Sequence, residues 1–447
     1  LYLNCQNFLN SYNILTILYI ILLKVNLYKE FLYIESENIM IEEAVLDNGL
    51  KIIVNKTNSE FVTIAYAINK GAWDETENNL GIAHLVEHMV FKGTANRDKN
   101  AVWEDIQNYG GNLNAYTSDN HTVFVATILA EYFDVAFDVV SDIVWNNTIP
   151  EEEFELEKNV VMEELKMYYD DASERVQDLS TAVMFKDYPA FHNVGGTAQT
   201  VSKITRQQVL DFINYKYIPQ NVTLFVTGDV DINIIKSQIE EYLEDYEFVN
   251  NDKEVRPIIS ELNIEDAEDT IDGTQSTLIA TVPVKVTNPK EYIMADILSD
   301  ILGGGFGSRL MVIRENFGYA YTVYCTLCAT DFTQPAWLKV YAGLNKENID
   351  KTKEVIKECF DTITEGIHET EFKRSVITYK TQLKKQYETT SNATSLMIEN
   401  YMVGFPFLTM EEYIEVLESI TLEDVMEYVN ENLGEYKMAY YVVKQTK

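Results

Sequence analysis

Within the pentapeptide His84-Leu85-Val86-Glu87-His88, two imidazoles stand four positions apart with a carboxylate between them. That spacing projects His84 and His88 from one side of an α-helix, as two ligands of a shared metal ion must be. Glu87, one residue before the second histidine, lies close enough to orient a water at such an ion and take its proton. The order H-x-x-E-H reverses H-E-x-x-H, a zinc-binding helix motif. The chain has only five histidines, so this arrangement around a glutamate arises by chance roughly once in a few hundred cases. The bland alternative is a pair of partly exposed helix histidines beside a solvated glutamate.

Two imidazoles leave a zinc ion short of the three protein ligands usual in a catalytic site. Pro150 sits where a helix can open, and the acidic stretch after it predicts a long helix to about Asp170. On that helix Glu157 and Glu164 are seven apart and share a face, with Val160 and Val161 between them on the side turned to the core. Two carboxylates on an otherwise apolar face are costly to bury unless a cation compensates them. Glu163 points elsewhere, toward solvent. The alternative is that all these glutamates belong to one solvated face. The motif itself should lie on a helix from Leu80 to Phe91, stopped at Lys92-Gly93. Strands are expected over 62–69 and as a hairpin-like pair over 112–129 turning at Asp119-Asn120; further helices are expected over 101–109 and 131–145.

The 447 residues suggest about two to three domains, and 46% apolar with 24% charged residues is a globular composition. A formal net charge of −36 argues against nucleic acid, whose phosphates need a basic surface. It reads either as a well-solvated acidic surface or as an acidic compartment that attracts basic peptides. Cys5, Cys325, Cys328 and Cys359 are too few for a disulfide framework in so long a chain. Cys325 and Cys328 fall in an expected strand, where positions three apart face opposite sides, so they read as packed or surface thiols. Residues 1–39 do not fit the rest. Ile14 to Leu23 is apolar for only about ten residues, too short to span a bilayer. The first lysine, Lys24, comes after it, where a secretory signal would carry basic residues before. We expect an upstream translation or a dispensable leader, with a membrane anchor as the minor alternative, and a fold that starts near Met40 with strand, Asn-Gly turn, strand. Without a convincing signal or membrane span, the expected location is the cytoplasm.

The segment Gly81–Thr94 (GIAHLVEHMVFKGT) closely resembles the signature of the zinc peptidase family that includes pitrilysin, insulin-degrading enzyme and mitochondrial processing peptidase. The resemblance extends from Met40 to the C-terminus, and the chain's length is similar to that of the short-subunit branch. It implies a third ligand about 76 positions after the second histidine, which falls on Glu164, and a supporting role for Glu157. Gly110–Thr122 resembles the family's edge strand, on which substrate adds as a further strand and where Asn114 and Ala115 match the substrate-contacting pair. Arg314 and Tyr321 match an arginine and tyrosine that reach the active site in that family, suited to gripping a carbonyl or an oxyanion. His121, His192 and His368 are read as structural.

Ile204–Asn214 (ITRQQVLDFIN) and Ile420–Asn430 (ITLEDVMEYVN) share a pattern at a spacing of 216. Such a period means two similarly folded domains. The expected fold class is therefore α+β, with two related domains, each a mixed or antiparallel sheet packed with helices. The catalytic domain should span 40–246, a linker 247–274, and a second domain, lacking the histidine pair, 275–447. The glycine-rich Leu302–Leu310 lacks the Lys-Ser or Lys-Thr ending of a phosphate loop and reads as a hinge, resembling the family's glycine-rich loop in substrate handling. The functional expectation is a zinc endopeptidase with one zinc per chain at His84, His88 and Glu164, and Glu87 as general base. Its substrates would be peptides or short unfolded polypeptides, basic ones among them. In the double-length relatives Arg314 and Tyr321 have counterparts in the half opposite the zinc, so a homodimer or a heterodimer with a related subunit is expected, without nucleic acid or membrane. The rival is a non-catalytic family member serving as a structural or substrate-presenting subunit; a purely structural zinc is weaker still, because three protein ligands leave a position open.

Overall fold

The computed structural model describes residues 40–188, 192–244, 246, 256, 258–273 and 275–446. The expectation for residues 1–39 lies outside this range, as does most of 247–257. Met40 to Lys447 forms one compact unit.

Two sheets organise it. The first joins β1 (Met40–Val45), β2 (Lys51–Lys56), β3 (Phe61–Ile68), β4 (Asn112–Thr117), β5 (Thr122–Leu129) and β6 (Val222–Gly228) in the order β1-β2-β6-β3-β5-β4. The β1–β2 hairpin closes at Asn48-Gly49, where Gly49 takes φ +92°, a conformation that favours glycine. The second sheet joins β7 (Ala267–Ile271), β8 (Ser276–Val284), β9 (Ala320–Cys328), β10 (Ala336–Leu344) and β11 (Ala439–Gln445) in the order β7-β11-β8-β10-β9. With β1 set aside, the two sheets have one topology. Each begins with a parallel pair, β2 with β6 and β7 with β11, and continues antiparallel to the far edge. The duplicated α+β fold is therefore present in strand order as well as in sequence pattern.

One boundary is corrected. Strand β7 lies inside the segment 247–274 that was expected to be linker. It begins 216 positions after β2 (267 minus 51), the spacing of the two matching sequence segments. Its residues, Ala-Glu-Asp-Thr-Ile, alternate between half-buried and exposed. An edge strand with two carboxylates has too little apolar signal to stand out from an acidic linker.

Each sheet packs one face on helices of its own half. The opposite faces are covered reciprocally. Helix Ala172–Met184, from the first half, places Val176 and Met184 against Ile279, Tyr441 and Val443 of the second sheet. Helix Thr390–Val403, from the second half, places Met397 and Ile398 against Ile53, Ala65 and Phe225 of the first. Threonine hydroxyls stitch the latter contact, Thr63 to Thr390 at 2.9 Å and Thr394 to Thr227 at 2.7 Å. Cys325 is buried in the second half's core, and burial raises its thiol and that of Cys328 above the ordinary range. No helix among the described residues is long and apolar enough to cross a membrane.

Candidate metal centre

Helix Ile82–Val90 buries Ile82, Ala83, Leu85, Val86, Met89 and Val90 in the core. His84, Glu87 and His88 are what remains, a stripe at i, i+3 and i+4 that cannot turn inward without losing that apolar face. The second contributor is helix Glu151–Asp170, which opens after Pro150 and buries Phe154, Glu157, Lys158, Val161 and Leu165. Val160, expected on the core side with Val161, is 52% exposed. Adjacent helical residues diverge by about 100°, and Val161 already completes the 154–158–161–165 stripe. Glu163 is exposed and pairs with Lys166.

The two helices bring His84, His88 and Glu164 together, with one potential ligand atom from each, all within 4.8 Å of one another. The imidazoles meet edge to face at 4.7 Å between ring centroids. His88 Nδ1 lies 2.8 Å from Glu157 Oε1, and Lys92 Nζ donates to Glu157 Oε2 at 2.6 Å. This leaves His88 Nε2 facing the centre, 3.5 Å from Glu164 Oε2. The other Glu164 oxygen accepts from the Tyr168 hydroxyl at 2.9 Å. Glu87 Oε2 accepts from Thr117 Oγ1 at 2.8 Å, at the end of strand β4.

A zinc ion fits this donor set. Bonds of about 2.1 Å in a tetrahedron hold ligands roughly 3.4 Å apart, close to the His88–Glu164 separation. Burial, reinforced by the neighbouring His88, lowers His84 to about 4, so it stands neutral with a lone pair to offer. Burial raises Glu87 despite the Thr117 bond, which gives it a stronger grip on a proton. Glu157 is held low: burial works against its charge, but His88 and Lys92 outweigh it.

A cavity of about 430 Å³ opens beside the group. Its lining includes His84, Glu87 and Ala115 together with the carboxylates Asp119, Glu174 and Asp178, and no lysine or arginine among the described residues. Among the described residues, strand β4 is the sheet's edge and pairs with β5 alone; Asn114 on it is exposed. Arg314 and Tyr321 are not brought to this centre. The guanidinium lies 5.0 Å from the Tyr321 ring and 5.5 Å from that of Phe306, Tyr321 is 76% exposed, and neither residue lines the cavity.

His121 is buried and bonded to Ser118 and Asn120, and His368 precedes the helix Glu369–Gln386. His192 does more than fill space: it lines the cavity and lies 3.3 Å from Glu75. Sequence reasoning missed Thr117, Tyr168, Lys92 and Glu75. Tyr168 stands at i+4 from Glu164, a spacing that could have flagged it. Glu75 sits in an aperiodic loop and gives no such signal.

A duplicated α+β scaffold with H-x-x-E-H on one half is that of a two-domain metallopeptidase. The chain belongs to peptidase family M16. Residues 51–198 match the family's insulinase domain, and residues 203–379 match the domain described as the peptidase M16 inactive domain. The histidine pair lies in the first of these. The uncharacterized zinc protease YmxG of Bacillus subtilis is 28% identical over 390 residues, spanning 86% of this chain and 94% of its own. The uncharacterized zinc protease ML0855 of Mycobacterium leprae is 27% identical over 412 residues, 90% of this chain and 92% of its own. In fold, the chain is similar to a protease from Helicobacter pylori, with a TM-score of 0.80 at 19% identity over 91% of this chain and 100% of the other. A peptidase M16 inactive domain from Pseudomonas fluorescens gives 0.80 at 17%, over 91% and 98%.

Proposed function

We propose that this chain is a zinc-dependent endopeptidase, with His84, His88 and Glu164 as ligands of one zinc ion and Glu87 as general base. The observation that carries this reading is the convergence of three ligand atoms from two helices with the Glu87 carboxylate beside them. The second half has no histidine pair, which is why one ion per chain is expected. When bound, zinc supplies Lewis acidity, making a nearby water easier to deprotonate and the scissile carbonyl more electrophilic. Glu87 takes the proton from the attacking water and delivers it to the leaving amine. Thr117 fixes the carboxylate that does this. Glu157 accepts from His88 Nδ1, which sets the tautomer with the Nε2 lone pair free, and Lys92 holds Glu157 in turn.

The free edge of β4 suits a peptide laid down as an extra strand, gripped by backbone bonds whatever its side chains. Asn114 and Ala115 would flank it. The acidic lining of Asp119, Glu174 and Asp178 favours basic side chains there. Arg314 and Tyr321 lie away from their own chain's centre, so they would serve the site of a partner subunit and steady the carbonyl as water attacks. The test is digestion of a peptide mixture by the purified protein, read by mass spectrometry. Internal cleavage that a chelator abolishes and zinc restores is expected; no cleavage by fully zinc-loaded protein would overturn the reading.

A further inference from the structure

The side chain of Glu75 is completely buried in the loop before the motif helix. Its Oε2 accepts from the Gly81 amide at 2.6 Å and its Oε1 from the Ala83 amide at 2.7 Å. First-turn amides have no partner within their own helix, and the residue preceding this one, Gly81, has no side chain with which to cap it. Glycine is required there: φ is +91°, and a Cβ would come 2.4 Å from the Gly195 carbonyl oxygen. Glu75 thus provides from a distance the cap that a local side chain cannot, with a negative charge at the helix's positive end. The Ala83 amide immediately precedes His84.

The same carboxylate reaches the cavity wall. Glu75 Oε2 lies 3.3 Å from His192 Nε2, and His192, Asn193, Val194 and Gly195 line the cavity alongside His84 and Glu87. This wall is seated on the helix start. A Cβ at Gly196 would meet the Leu80 carbonyl oxygen at 2.5 Å. Within the wall, Asn193 Nδ2 donates to Asp178 Oδ1, and Asn193 Oδ1 accepts from the Gly195 amide at 2.8 Å.

We propose that Glu75 is a positioning residue: it holds the first turn of the motif helix against the His192–Gly196 wall, and so sets where His84 and Glu87 stand relative to a peptide in the cavity. The cleavage part of this inference rests on the endopeptidase reading; the metal part does not. Two variants separate its two arms. Glu75→Gln has nearly the same shape but turns a donor toward one of its donor partners. It should bind zinc about tenfold more weakly in chelator competition, and its kcat should fall by at least about tenfold with KM within about threefold, as expected when a ligand's support is disturbed. His192→Gln leaves the helix amides capped, so zinc affinity should stay at the wild-type value while KM rises several-fold as the wall loosens. A folded Glu75→Gln protein with wild-type zinc affinity and kcat would overturn the proposal. If that variant fails to fold, an unchanged KM in His192→Gln overturns the tether. If wild-type protein binds zinc but cleaves no peptide, the endopeptidase reading falls, and zinc affinity in Glu75→Gln still decides the metal arm.

Discussion

Glu164 divides its two oxygens between different partners: Oε1 accepts from Tyr168, while Oε2 faces His88 Nε2. Glu157, two turns earlier, is committed to His88 and Lys92 and has no oxygen left for an ion. The difference favours Glu164 over Glu157 as the proposed ligand, and it yields a prediction. Glu164→Gln should lose zinc by tenfold or more in affinity, because a neutral amide is a poor substitute for a carboxylate ligand; elemental analysis after dialysis reads it, and full retention would mean the third ligand is another residue. At this scale much was legible in advance. Residues four apart on a helix must share a face, so His84 and His88 needed no structure to be paired. The choice between Glu157 and Glu164 came from family resemblance, because seven-residue spacing puts both on one side and says nothing about what each touches. Thr117 and Glu75 were not legible at all: their partners lie 30 positions away, across a sheet edge, or at a helix start whose glycine hides the need for a cap.

Two helices are exchanged between the halves, and this binds them more firmly than a linker would. Helix Ala172–Met184 completes the second sheet and helix Thr390–Val403 completes the first, so neither sheet has both faces covered by its own half alone. Ile398, 2% exposed on the first sheet, tests this coupling. Its replacement by alanine should cost about 2–4 kcal/mol of stability. The loss should appear as a shift of one unfolding transition in denaturant, since each half needs the other's helix. Two separated transitions would show that the halves fold independently. The exchange could not be read from the sequence, where both helices show only an apolar stripe with no mark of which sheet it meets. The repeat of 216 residues was visible in two helical segments, yet the strand that begins the second copy was not, because Glu268 and Asp269 give β7 the look of its acidic surroundings.

At the scale of the whole molecule, the His84–His88–Glu164 group and the Arg314–Tyr321 pair lie apart, although the proposed chemistry uses both. A second chain can reconcile them, with each copy lending its arginine and tyrosine to the other's centre. Mixing an inactive Glu87→Gln chain with an inactive Arg314→Ala chain should then restore cleavage, because one site of the mixed dimer has intact Glu87 from one chain and intact Arg314 from the other. No rescue in verified mixed dimers, or full activity in a monomer by light scattering, would refute the arrangement. We propose that the net charge of −36 biases binding toward basic peptides, so that cleavage of such peptides should fall as salt is raised. Glu87 is proposed to move the proton at a zinc centre, and the most direct measurement compares wild type with Glu87→Gln on the same peptide mixture, with zinc content measured in both. Equal zinc with cleavage lower by on the order of a hundredfold or more in the variant is the predicted result; near-normal cleavage by Glu87→Gln would contradict it.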